Sequence, residues 1–257
     1  MSSTPDDDMR IAANRDNGDD RVAIHFNSRF YDVEGWLRDK KGPRPWEQKA
    51  LGDVSGLHLV HLQCHFGLDT LAWARAGASV VGLDFAPSAI ATAKSLAERS
   101  GLAASAEFVC ARDGALGWLP SVDRWAEQVA GLLRAGGRVY IHDGHPLAWA
   151  LADDRLAFAH TYFEESERPL VDDSGATYTD SVGPPQHTRT YEWNHSIGEI
   201  VTALSRHGLH LNWLIEHDWT VWPRFRWLIE QPDGRWSLPP DVPRVPLTFG
   251  LLATRPR

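Results

Sequence analysis

LHLVHLQCHFGLDT, residues 57–70, runs from a mostly apolar segment into a turn, one glycine and the start of a helical pattern. A strand, a turn and a helix in that order open a nucleotide-type pocket in α/β proteins. A dinucleotide is a poor occupant. Its pyrophosphate needs G-x-G-x-x-G, so that the backbone can approach both phosphates. Here the turn is Gln63-Cys64-His65-Phe66-Gly67-Leu68, and the side chains of Gln63 and His65 crowd that space. No G-x-x-x-x-G-K-[ST] occurs either, which removes a P-loop. A ligand without phosphates suits the turn better, with the amides near Gly67 and the helix N-terminus offered to a carboxylate.

Reading outward, SVVGLD (79–84) is a second strand, and it ends in Asp84, seventeen residues beyond Gly67. In such sheets an acid at that tip accepts hydrogen bonds from both ribose hydroxyls. The plainer alternative is that Asp84 caps the next helix near Ser88. Phe85 beside it is placed to cover an adenine face. A helix from Pro87 to a Gly101 stop, a strand AEFVCA (106–111), a helix with Ser121 as N-cap and a strand RVYIHD (138–143) follow. A capping box at Ser196 and Glu199 opens a late helix. LHLNWLIEHD and PLTFGLLAT then alternate with period two. Strands alternating with helices predict an α/β fold on a doubly wound, mostly parallel sheet.

At these residues the chain resembles the class I S-adenosylmethionine-dependent methyltransferases. VHLQCHFGLDT matches their first motif, with Gln63, His65 and Gly67 at its three glycine positions. VVGLDFAPSAI matches their second, with Asp84 as the ribose acid. WLPSVDRWAEQVAGLLRAGGRVYIHDGHPL looks like their later helix, Gly-Gly turn and fifth strand. The resemblance covers about residues 57–146 and, more loosely, 196–254. It implies a Rossmann-like fold and S-adenosyl-L-methionine as cofactor, held by Gln63, Cys64, His65, Gly67, Asp84, Phe85 and Asp113. It also explains the opening stretch, because without a pyrophosphate two of the three glycines are replaceable.

The chain departs from the family after its third strand. Ten residues lie between Cys110 and Ser121, too few for a crossover and a strand together. The family's fourth strand is expected to be missing, leaving either a relocated AEFVCA or a gap. Where the family places an acid directly after the third strand, this chain has Arg112, with Asp113 one step later.

Methyl transfer is an in-line displacement at a sulfonium, so it asks for alignment and, for some acceptors, a base. His145, at the tip of the late strand, is the catalytic candidate, against the alternative of a histidine shaping the turn before Pro146. Tyr191, Trp193 and His195 are candidates for the acceptor side. His61, Cys64 and His65 hint at a metal, but strand parity separates Cys64 from the histidines and a fourth ligand is lacking, so no metal is expected.

Residues 1–20 hold six Asp and two Arg and read as a disordered acidic tail. Residues 21–257 read as one methyltransferase-like domain, its core 57–146 and 196–254, with a β-rich substrate-side insertion at about 147–195. Within it AFAHTYF, ATYTDSV and HTRTYEW look β-like. Seven of twelve tryptophans lie after residue 148, which suits a substrate enclosure as well as a core. The net charge of −8 contains no basic block, which argues against nucleic acid. No apolar run approaches a membrane span, and the acidic opening lacks a signal-peptide core. Two cysteines suit a reducing compartment, so a cytoplasmic protein is expected. The expected activity is methyl transfer to a small-molecule acceptor. A degenerate, non-catalytic relative is the alternative, and a nicotinamide oxidoreductase a distant third. Neither the acceptor nor the oligomeric state is legible.

Overall fold

The computed structural model describes residues 5–111, 116–165, 167–180 and 183–257. The chain begins with α1 (Pro5–Phe26), α2 (Val33–Asp39), α3 (Pro45–Leu51), β1 (His58–Leu62) and α4 (Leu68–Arg75). It continues with β2 (Ser79–Asp84), α5 (Pro87–Ser100) and β3 (Ala106–Cys110), then a 3-10 turn at Leu116–Trp118. Next come α6 (Val122–Leu132), β4 (Arg138–Gly144), α7 (Pro146–Trp149), β5 (Leu170–Asp172) and β6 (Thr190–Glu192). The chain closes with α8 (Ile197–Arg206), β7 (His210–His217), β8 (Trp219–Thr220), β9 (Ile229–Glu230), β10 (Trp236–Ser237) and β11 (Thr248–Thr254).

Two compact units form, and they cut across the single domain expected from sequence. One holds residues up to Leu119 together with Leu170–Glu192; the other holds Pro120–Pro169 and Trp193–Arg257. The insertion expected at 147–195 is therefore shared between them. Its β content is small. Among the described residues only Leu170–Asp172 and Thr190–Glu192 pair, AFAHTYF contributes an isolated bridge from Phe158 to Leu151, and residues 176–180 form no strand.

The first unit is built on a parallel sheet in the order β1-β2-β3. Period-two alternation sends Leu59, Val80, Ala106 and Phe108 to one face, where they pack with apolar residues of α4 and α5. Two glycines make room there. A Cβ on Gly67 would stand 2.7 Å from the Phe108 ring, and one on Gly82 would stand 2.6 Å from it. The opposite face is thinly covered, with Val60 41% and Val109 40% exposed. Parallel sheets are normally buried on both faces. Among the described residues β1 pairs with β2 alone.

Residues 5–20, expected to be part of a disordered tail, instead form most of α1. Three acids in its first turn suit the helix dipole. Its anchoring is polar. Asn14, fully buried, donates to Tyr191 O and accepts from Tyr191 N, both at 2.7 Å. Asn17, also fully buried, donates to His187 O at 2.6 Å, and the His187 N–H donates to Asp20 at 2.6 Å. Asp19 accepts from the N–H of Ser88 in the first turn of α5 at 2.7 Å. The helix thus satisfies backbone groups of the 187–191 segment as a neighbouring strand would.

The second unit carries an antiparallel sheet in the order β4-β11-β7. Thr248 to Ala253 are all buried, as suits its central strand. The expected mostly parallel character is confined to β1–β3. Both caps read from sequence are present: Ser121 accepts from Arg124 N, and Ser196 and Glu199 form a capping box.

Candidate functional site

The first unit gathers most of the expected cofactor residues at the carboxyl ends of its parallel strands. Gln63, His65 and Gly67 all have left-handed backbone, with φ of 61°, 50° and 83°. That conformation is natural for glycine and costs other residues about 1 kcal/mol or more. The turn keeps a glycine-like path although two of its three positions carry side chains.

Asp84 holds this turn. Its Oδ2 accepts from the N–H of His65 at 2.8 Å, and its Oδ1 accepts from the N–H of Ala86 at 3.0 Å. The residue is only 7% exposed, and burial raises its carboxyl above the ordinary value even though backbone N–H donors pull the other way. Each oxygen retains a second lone pair for a hydroxyl donor. Phe85 is buried; its ring lies 5.7 Å from that of Trp118, under Gly18 of α1. A cleft of about 440 Å³ opens beside it, lined by Ile11, Ala12, Arg15, Phe85, Cys110 and Ala111 among others.

The neighbouring residues have structural assignments. Cys64 is buried, its Sγ donating to His65 O at 3.4 Å, and burial pushes its thiol up to about 12. His61 bonds through Nδ1 to Thr70 Oγ1 of α4 at 2.7 Å. Asp113 lies outside the described residues.

A buried polar cluster beside the turn was not anticipated from sequence. His65 Nε2 is hydrogen-bonded to His25 Nδ1 at 3.0 Å, and His25 Nε2 to Thr177 Oγ1 at 2.8 Å. Tyr31 and Tyr178 join hydroxyls at 2.5 Å, and the Tyr31 ring lies 5.4 Å from His25 in a stacked arrangement. Burial lowers His25 to about 4 and His65 to about 3, so both imidazoles are neutral at pH 7. Arg21, one turn before His25, contributes to both shifts. The local signal was a histidine and a tyrosine in a mixed apolar and polar stretch, residues 21–33. Their partners Thr177 and Tyr178 are more than 140 residues away.

The remaining candidates are divided between the units. Tyr191 belongs to the first, where Asn14 engages its backbone. His145, Trp193 and His195 belong to the second. His145 is buried, with both ring nitrogens engaged: Nδ1 accepts from Leu147 N at 3.0 Å, and Nε2 bonds Glu216 at 2.8 Å. It caps α7, which is the turn-shaping alternative, and neither nitrogen is open to a substrate proton. Trp193 and His195 are buried core residues, and His195 bonds Glu164 through Nδ1.

No family model matches the chain. One curated protein, the ubiquinone biosynthesis O-methyltransferase of Methylocella silvestris, is 41% identical over 75 residues. That match spans 29% of this chain and about a quarter (26%) of the relative's length. Among solved structures, a putative S-adenosylmethionine-dependent methyltransferase from Listeria monocytogenes is similar with a TM-score of 0.57 at 16% identity, covering 82% of this chain and 96% of that one. An S-adenosylmethionine-dependent methyltransferase from Mesorhizobium loti gives 0.53 at 19% identity, over 87% and 100%. At such identities the likeness establishes the fold: the chain has the Rossmann-like fold of class I methyltransferases.

Proposed function

We propose that the chain transfers a methyl group from S-adenosylmethionine to a small-molecule acceptor. The observation that carries this reading is the turn: three left-handed residues at the motif's glycine positions, held by the Asp84 carboxylate at the neighbouring strand tip. Two non-glycine residues are kept in a costly conformation there, and such strain gathers at functional sites. The residues suit an adenosine. Asp84 has lone pairs for the ribose hydroxyls, and the cleft beside Phe85, Cys110 and Ala111 lies within the size range of ligand pockets. Ile11 and Ala12 of α1 supply its other wall. The amides at the start of α4 suit a carboxylate.

When bound, the cofactor supplies a methyl group on a positively charged sulfur, ready for displacement. The chain's own residues bind, orient and exclude water. Proton removal falls to no residue in the polar cluster, because His25 and His65 are both poor bases at neutral pH. An acceptor that is already anionic or has a free lone pair suits such a site.

The single pairing of β1 among the described residues favours a second reading, a degenerate protein that binds the cofactor weakly. On that reading the family's fourth strand and its preceding helix are lost after Cys110, which would bare the Val60 and Val109 face. Calorimetry separates the readings. S-adenosylmethionine is expected to bind in the low micromolar range, with NAD at least about tenfold weaker, the equivalent of about 1.4 kcal/mol. Comparable affinity for NAD, or no measurable binding of S-adenosylmethionine, would refute the methyltransferase reading.

A further inference from the structure

Arg21 is a largely buried cation for which no counter-charge is in contact among the described residues. Its Nη2 donates to Ala176 O at 3.1 Å, and its Nε is buried with no hydrogen-bond partner. Nearby acids are committed elsewhere. Asp173 pairs with Arg189 at 2.7 Å and Asp180 with Arg29 at 2.6 Å, both at the surface. Asp172 is turned to Ser174, accepting from its N–H at 2.8 Å and its hydroxyl at 3.0 Å. Asp172 and Glu192 attract Arg21 only at longer range. A charge taken out of water is expensive unless it is paired.

The guanidinium's surroundings are suited to an anion. Tyr31 and Tyr178 are near enough to couple to it electrostatically, and Thr177 hydrogen-bonds the His25 that lies one helical turn beyond it. Hydroxyl groups here can donate to an incoming oxygen, and the Tyr31 ring packs against His25 and Phe66. Arg21, Tyr31, Thr177 and Tyr178 come from α1, the turn before α2 and residues 177–178, outside the strand-turn-helix unit, whose His65 and Phe66 border them.

We propose that Arg21, with the hydroxyls of Tyr31, Thr177 and Tyr178, seats a carboxylate of the methyl acceptor, which makes the substrates small carboxylic acids. This rests on the methyltransferase reading above and names its substrate class. An anion would accept a hydrogen bond from the unpartnered Nε–H and compensate the buried charge.

Sodium benzoate, set against sodium chloride at equal ionic strength, is the probe, and thermal melting of the full chain is the readout. Benzoate is expected to raise the melting temperature of the unaltered protein and of Arg21→Lys, but not of Arg21→Met. In chloride alone, Arg21→Met is expected to melt at or above the unaltered protein, because an uncompensated cation has been removed. Benzoate affinity should fall at least about tenfold in Arg21→Met, as losing a charged hydrogen bond implies. Equal benzoate shifts in the two proteins would overturn the assignment. So would a lower melting temperature for Arg21→Met in chloride combined with no benzoate response in the unaltered chain, the signature of a purely structural arginine. A tenfold loss of S-adenosylhomocysteine affinity in Arg21→Met, with 5′-methylthioadenosine unaffected, would assign Arg21 to the cofactor's carboxylate and also overturn it. The benzoate arm needs no cofactor. Failure of the unaltered chain to bind S-adenosylhomocysteine would therefore count against the methyltransferase reading, not against the anion seat.

Discussion

Asp84→Asn is expected to bind S-adenosylhomocysteine about tenfold to a hundredfold more weakly while melting close to the unaltered protein. The binding loss follows from removing a charged acceptor, worth about 1.5–3 kcal/mol. The stability expectation follows from the cost of the charge. Burial raises the Asp84 carboxyl above its ordinary value despite its backbone donors, so ionising it in the folded state is unfavourable. The asparagine removes that charge and keeps one acceptor for the His65 or Ala86 amide, at the cost of the other. The sign of the pH effect is set by the same shift. A folded value above the unfolded one means the native state holds the proton longer. The Asp84 contribution to stability is then fully present below the unfolded value and is lost as the pH rises through the folded one. The asparagine's advantage should accordingly shrink in acid. Urea melts at pH 4 and pH 7, with calorimetry at pH 7, check both halves. An unchanged affinity would remove Asp84 from the cofactor site.

A chain beginning at Asn27 is expected to lose its cooperative melt. Deleting α1 removes the paired bonds of Asn14 to Tyr191, those of Asn17 and Asp20 to His187, the Asp19 cap on Ser88 and the His25–Thr177 bond. It also removes Val22 from the apolar core. At about 0.5–1.5 kcal/mol for each hydrogen bond, the sum is of order 3–9 kcal/mol, comparable with a domain's whole stability. Circular dichroism during heating is the measurement. A cooperative transition within a few degrees of the intact chain would show that α1 is an accessory.

The helix illustrates what the sequence conceals. Periodicity finds elements that bury an apolar stripe, and it located β1 to β4, α4 to α6, α8, β7 and β11 for that reason. α1 buries Asn14, Asn17 and His25 instead, and its surface is otherwise acidic, so composition reads it as a solvated tail. Its partners lie in the 187–191 segment, and no local pattern records a pairing across 177 residues. The same distance hid the polar cluster, where Tyr31 meets Tyr178 and His25 meets Thr177.

The positions of the strand-tip residues were legible because the pattern that places them is local. Gly67 and Asp84 are fixed by a turn and a strand end, and the left-handed backbone at Gln63 and His65 is where the motif's glycines stand. His145 was ambiguous for an equally local reason. A histidine before Pro146 can face a pocket or cap a helix, and only the positions of Leu147 N and Glu216 decide between them.

An adenosine-bearing cofactor lying against the tips of β2 and β3 would cover one of the chain's two cysteines and not the other, so the cysteines report on that place without any substitution. Cys64 is buried and its thiol is pushed up to about 12, so alkylation at neutral pH should leave it intact. Cys110 is exposed and lines the cleft beside Phe85. Iodoacetamide labelling of the native chain, followed by peptide mass spectrometry, should find modification at Cys110. Saturating S-adenosylhomocysteine should slow it in proportion to occupancy, about tenfold at 90% bound, while NAD at the same concentration slows it at most about twofold. Labelling of Cys110 that proceeds at the same rate with S-adenosylhomocysteine bound, or is slowed equally by NAD, would contradict that placement.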